Sequence, residues 1–174
     1  AFATLPNGIE GDYYLHFVVD ENGRVCDGDR SNNEAHSAVF HVNLTPWPDL
    51  VVTHIEVPDS LMVGAAAQFN ITIANHGIAP ATGPMTTRVF MSILPTYGGN
   101  SMKQVASYQS GIDLPINDET NITVSGWVPT TVSAGHYYIY AVVDYNDNIY
   151  EHTGEDNNVT RSLDQSFFQI YPLD

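Results

Sequence analysis

The feature that most constrains this chain is that it repeats itself. Residues 11–20 read Gly-Asp-Tyr-Tyr-Leu-His-Phe-Val-Val-Asp, and residues 135–144 read Gly-His-Tyr-Tyr-Ile-Tyr-Ala-Val-Val-Asp. The match continues with Asn22 against Asn146, Val25 against Ile149, Asp27 against Glu151, and Asn32-Asn33 against Asn157-Asn158. Pro48 and Asp49 find counterparts in Pro172 and Asp174. The period is roughly 124 to 125 residues, the length of one sandwich domain. Residues 1–45 therefore read as the C-terminal part of a preceding, incomplete repeat, and residues 46–174 as a complete one. The closing Tyr-Pro-Leu-Asp reads as the start of a following repeat. A lone strand pair is marginal in water, so the first segment is expected to be completed by a longer array or by another chain.

The complete repeat shows no helical periodicity. Its β-branched and aromatic residues alternate with polar ones. Strands are expected near 49–57, 67–75, 85–93, 102–109, 119–128, 136–144 and 158–170. Between them lie turn residues such as Pro58-Asp59-Ser60, Tyr97-Gly98-Gly99-Asn100 and Asn146-Asp147-Asn148. Seven short strands at this spacing make an all-β, two-sheet antiparallel sandwich of immunoglobulin-like form. Alternation points Phe69, Ile71, Ile73, Val89, Met91, Ile93, Tyr137, Ile139, Ala141 and Val143 inward, with Asn70 and Thr72 outward. Ile122 and Val124 keep period two, whereas Trp127 falls one residue out of step, a slip that a β-bulge at Gly126 would absorb. Tyr137 stands where a sandwich places a corner tyrosine whose hydroxyl ties back to nearby backbone.

Composition narrows the partners. With 20 acidic against 5 basic residues, the net charge is −15. No basic stripe exists to replace the counterions of nucleic acid. No stretch approaches the ~20 apolar residues of a membrane span. The single cysteine, Cys26, cannot form an internal disulfide and reads as a side chain on a polar turn.

Several short motifs in order resemble one family, the CARDB domain (cell adhesion related domain found in bacteria). They are Pro48-Asp49-Leu50-Val51-Val52, Val63-Gly64, Ile73-Ala74-Asn75-His76-Gly77 and Ala79-Pro80-Ala81. In the closing half they are Trp127, Gly135-His136-Tyr137, Ala141-Val142-Val143-Asp144, Glu151, Glu155 and Asn157-Asn158. The resemblance covers nearly all of 48–170, and 9–42 is similar to the same domain's C-terminal part. It implies an immunoglobulin-like sandwich strung in tandem on secreted, surface or adhesive proteins. The two copies differ in one loop: Asp27-Gly28-Asp29-Arg30 stands where the later copy has Glu151 through Glu155.

Two kinds of site are candidates. The acidic turn Asp144, Asn146, Asn148, Glu151, Glu155 and Asn157 gathers oxygen ligands of the kind calcium takes, without the glycine and terminal glutamate of a complete calcium loop. The competing reading is local, since Asn and Asp hydrogen-bond the backbone of turns without any metal. Asn-x-Thr sequons occur at Asn43, Asn70, Asn121 and Asn158. Each is followed by an apolar residue, so alternation turns every sequon asparagine toward solvent, where N-linked glycans sit. Catalysis finds no support: there is no His-Glu-x-x-His helix, no Gly-x-Ser-x-Gly elbow and no phosphate-binding glycine loop.

No cofactor is required by any motif, calcium being the one candidate ion. The expected function is a structural repeat of an extracellular or cell-surface filament, stalk or sheath, partnered by neighbouring repeats or copies of itself. The alternatives are an adhesin that grips a glycan or protein through Tyr138, Tyr140, Tyr145 and Tyr150, and a non-catalytic spacer of a secreted enzyme.

Overall fold

The computed structural model describes residues 4–162 and 168–172. The chain divides into two compact units, Ala1–Thr45 and Pro46–Asp174. The first holds four short strands, β1 (Gly11–Tyr13), β2 (His16–Val18), β3 (Glu34–His36) and β4 (Phe40–Val42), with a 3-10 turn at Arg30–Asn32. Strand β1 pairs with β4 and β2 with β3, both antiparallel, so the chain runs out and returns along itself.

The second unit contains β5 (Leu50–Glu56), β6 (Ser60–Met62), β7 (Ala66–Asn75), β8 (Ala81–Ser92), β9 (Lys103–Leu114), β10 (Glu119–Trp127), β11 (Gly135–Val142), β12 (Val159–Arg161) and β13 (Phe168–Tyr171). One layer is β5-β7-β10. The other is β9-β8-β11, extended by β12 and β13, with β6 running parallel to β13 at the edge. Among the described residues, the layers touch in the sheet direction only where Gly126 pairs with Ala106. A Cβ at Gly126 would fall 2.1 Å from the Val105 carbonyl oxygen, so the close crossing of β9 over β10 admits glycine alone.

Alternation placed most of the core correctly. Phe69, Ile71, Ile73, Val89, Met91, Ile139, Ala141, Val143 and Val124 are buried between the layers, with Ile122 packed partly against them. The Tyr137 hydroxyl donates to the Ser133 carbonyl at 2.8 Å, the corner tie expected of it. Three expectations need correction. No bulge lies between β10 and β7, whose register runs unbroken from Glu119–Trp127 to Ala74–Ala66, so Trp127 continues the alternation outward at 68% exposure. Ile93 is exposed, because β8 ends at Ser92, whose hydroxyl accepts from the Leu94 N–H and bends the chain away. Ser60, read as a turn residue, opens the short strand β6. Within the expected 158–170 strand, the described parts are β12 and β13, and residues 163–167 lie outside the described residues. Leu173 and Asp174 of the closing motif lie outside them as well.

The strand pairings of the two units can be set side by side. In the first unit His16 faces His36, Phe17 faces Ala35 and Val18 faces Glu34; in the second Tyr140 faces Arg161, Ala141 faces Thr160 and Val142 faces Val159. These are the same positions of the repeat on both strands. Gly11 and Tyr13 face Val42 and Phe40, as Gly135 and Tyr137 face Ile170 and Phe168. Tyr13 reproduces the corner tie, its hydroxyl donating to the Glu10 carbonyl at 3.2 Å.

Candidate functional site

The acidic turn leaves β11 at Asp144, whose φ of 40° and that of Asp147, 52°, lie in the left-handed region that Asp tolerates better than most residues. Asp144 Oδ2 accepts from the Ile149 N–H at 2.7 Å, closing the turn. Asn146 donates from Nδ2 to Thr86 Oγ1, and the Tyr145 N–H to the Thr86 carbonyl, which fastens the turn to β8. Asn148 is exposed.

The next carboxylates tie the turn to the start of β5. Glu151, fully buried, accepts from the Leu50 N–H through Oε2 at 2.8 Å. Glu155 accepts the Glu151 N–H at 2.9 Å, and Asn157 donates to Asp49 Oδ1 at 2.8 Å. Asp49 in turn donates its N–H to Asn75, a fully buried amide that also donates to the carbonyls of Ala79 and Leu114 and accepts from the Gly77 N–H. Gly77 packs against the Pro48–Asp49 backbone so closely that a Cβ would meet it at 2.4 Å. The Asp49, Asn75-His76-Gly77 and Glu151–Asn158 motifs, distant in sequence, are one hydrogen-bonded clasp.

Burial pushes the Glu151 carboxyl up to about 8, a rise only partly offset by the Leu50 N–H. Burial likewise raises Asp144, and raises Glu155 with help from the charges of Asp147 and Asp144. Of the six expected calcium ligands, Asp144, Asn146, Glu151, Glu155 and Asn157 hold internal hydrogen bonds. Among the described residues, no three His, Cys, Asp or Glu side chains group closely enough to hold a metal ion.

An open cavity of about 290 Å³ lies beside the turn. Tyr97, Tyr145, Asp144, Asp147, Glu155 and Asn158 line it together with short apolar chain. Asp144 Oδ1 is buried and has no hydrogen-bond partner. Asp147 and Tyr97 were not among the expected site residues. The signal for Asp147 was present in the repeat, which sets it opposite Gly23; nothing local marked Tyr97, brought in from the β8–β9 loop.

The sequons divide. Asn43, Asn70 and Asn121 are exposed. Asn70 and Asn121 sit on neighbouring strands with each other's sequon threonine as partner: Thr123 donates to Asn70 Oδ1 at 2.9 Å and Thr72 to Asn121 Oδ1 at 2.7 Å. Asn158 corrects the outward expectation. It is buried at 5% exposure, with its amide nitrogen assigned toward the Leu50 carbonyl (2.6 Å) and Glu151 Oε2 (3.2 Å). The physical reason is that Asn158 belongs to the clasp, which overrides strand alternation. Of the expected adhesin tyrosines, Tyr140 is buried with its hydroxyl on the Leu94 carbonyl, and Tyr145 lies under the Arg88 guanidinium at 3.8 Å. Tyr138 stands near Arg161, and Tyr150 stacks on His152. Cys26 is exposed.

A family model described as CARDB matches residues 47–162. A crystal structure of the CARDB domain of a Pyrococcus furiosus protein, in complex with di-metal ions, is similar at 24% identity and a TM-score of 0.48, over 76% of this chain and 100% of that one. A solution structure of the same archaeal domain is similar at 25% identity and a TM-score of 0.47, over 74% and 98%. A β-glucosidase from Erythrobacter marinus is similar at 10% identity and a TM-score of 0.44, over 71% of this chain but only 16% of the enzyme. No curated protein matches the chain.

Proposed function

Because the chain belongs to the CARDB family of cell-adhesion-related domains, we propose that it is a structural repeat module of an extracellular or cell-surface assembly, a filament, stalk or sheath. The observation that carries this reading is the repeated terminal hairpin and the apolar face it leaves open. Ile139, Ala141, Val143 and Ile149 of the second unit are buried against β5, β7 and their neighbours. Their counterparts Leu15, Phe17, Val19 and Val25 stand exposed, Val19 at 69%. Fully burying an exposed side chain of this kind stabilises by about 1.5–3 kcal/mol, and the part of these four still in water gives the first hairpin a drive to acquire the strands that complete a sandwich. A longer array, or another copy of the chain, supplies them in this reading, and modules joined in this way form arrays.

The acidic exterior suits a solvated surface module, and among the described residues no helix is long and apolar enough to cross a membrane. A second reading, an adhesin, draws on Trp127, exposed beside a cavity of about 530 Å³ lined by Pro58, Leu61, Ala66, Gln68 and Ser125. Electron microscopy and mass photometry of native material, with and without a calcium chelator, separate the two. Ordered filaments or long arrays are expected. Discrete monomers that bind a glycan and lose it on Trp127→Ala would overturn the assembly reading in favour of the adhesin.

A further inference from the structure

Two histidines face each other across the first hairpin: His16 on β2 is paired directly with His36 on β3. The backbone sets how near their side chains come. The Ser37 N–H donates to the Leu15 carbonyl and the Val19 N–H to the Asn33 carbonyl, both at 2.9 Å. Hydrogen-bonded and non-hydrogen-bonded pairs alternate along an antiparallel ladder, so His16 and His36 form a non-hydrogen-bonded pair. Side chains come closest across such a pair, with Cβ atoms about 4.5–5.5 Å apart.

The rings follow from that placement. Their centroids are 6.1 Å apart and their planes are inclined by 35°. That separation suits two ring nitrogens each standing ~2.0–2.1 Å from one shared ion. Both side chains are exposed, on the face of the hairpin opposite Leu15, Phe17 and Val19. His41 commits its Nδ1 to Asp12 at 2.8 Å. The ring contacts of His16 and His36 are with each other and with Tyr14, and among the described residues neither ring makes a hydrogen bond.

We infer that His16 and His36 chelate a divalent transition-metal ion of the zinc class, which clips β2 to β3. Neutral imidazole suits zinc, copper and nickel, whereas calcium and magnesium take oxygen ligands. Two protein nitrogens leave two positions of a tetrahedral ion to water, since among the described residues no third His, Cys, Asp or Glu stands close enough to join them. Glu34, two residues along β3 on the same face, adds negative field beside the ion. The clip has something to hold: β2 and β3 are three residues each and exposed throughout, and a unit with so little buried core gains most from a staple. An ion that binds the paired strands and not the separated ones stabilises the pairing by mass action. The inference does not depend on whether the protein polymerises.

The test is a titration of the 174-residue chain with zinc chloride at about pH 7.5, where imidazole is neutral. Histidine rings and backbone amides are followed by nuclear magnetic resonance, with calcium chloride as a parallel arm. Saturable shifts are expected at both rings and over β2 and β3 with zinc, and not with calcium. His16→Thr and His36→Thr, which keep a strand-favouring residue at an exposed position, should each weaken binding at least about tenfold and leave the amides of the second unit unmoved. His41→Thr should bind as the wild type does. Lowering the pH to about 5 should abolish binding, because a protonated imidazole has no lone pair to give. With free zinc at about a hundred times its Kd, exchange of the β2 and β3 amides that open with the hairpin should slow about a hundredfold. No saturable shift at His16 and His36, unchanged affinity in either of their threonine variants, or exchange that zinc leaves unaltered would overturn the assignment. So would binding that is lost in His41→Thr, or a response that grows with protein concentration, which would make the ion a bridge between copies.

Discussion

Glu151 is the residue whose chemistry reaches furthest, because it joins the last hairpin to the first strand of the sandwich from a fully buried position. Its carboxyl titrates near 8 in the fold and near the ordinary 4.5 in the unfolded chain. The folded state therefore holds the extra proton between those values. Stability is fully present below about 4.5 and declines as pH rises toward 8. With the amide of Asn158 assigned toward the Leu50 carbonyl, its oxygen faces Glu151 Oε1, a partner that a protonated carboxyl can use. Thermal unfolding of the wild type from pH 5 to pH 8.5 should show a falling midpoint, amounting to at most a few kcal/mol. Glu151→Gln should remove most of that slope while keeping the Leu50 bond; an equally steep profile in the variant would refute the assignment. Glu151 and Asn158 were visible in sequence as members of an acidic, polar run. Their burial was not, because the backbone groups that satisfy them come from Leu50, about a hundred residues earlier.

Among the elements, β7 and β10 were the most legible and carry the sequons. The unbroken pairing of Ala66–Asn75 with Glu119–Trp127 turns Asn70 and Asn121 out on the same sheet, two register positions apart. Glycans at Asn70 and Asn121 are expected to cover this outer face. Native protein should lose mass on enzymatic deglycosylation, by an amount reduced in Asn70→Gln and in Asn121→Gln and unchanged in Asn158→Gln. An intact mass equal to that of the bare chain would refute the expectation. The strand ends were less legible. Trp127 and Ile93 are apolar at positions where a strand leaves the core, and there the side chain's direction depends on the neighbouring strand rather than on its own composition. Gly126 shows the same limit: its reason is the approach of β9, a contact that spacing along β10 does not record.

At the scale of the molecule, the two units differ in kind. The second closes a core between two layers, whereas the strands of the first stand largely exposed. Hydrogen exchange on the whole chain should therefore find amides of β7, β8 and β11 protected by orders of magnitude more than those of β2 and β3. Equal protection in both units would mean that the first hairpin already has its covering in the isolated chain. From sequence alone came the all-β class, the family, most core positions and the corner tyrosine, because each rests on periodicity or on short motifs whose residues lie within a few positions of one another. Only the tertiary structure decided that the six acidic-turn residues divide between a clasp and an open cavity, and that Asn158 is buried. Those outcomes depend on which backbone donors arrive from strands far away in the chain, and a hydrogen bond between residues a hundred positions apart leaves no local trace in either.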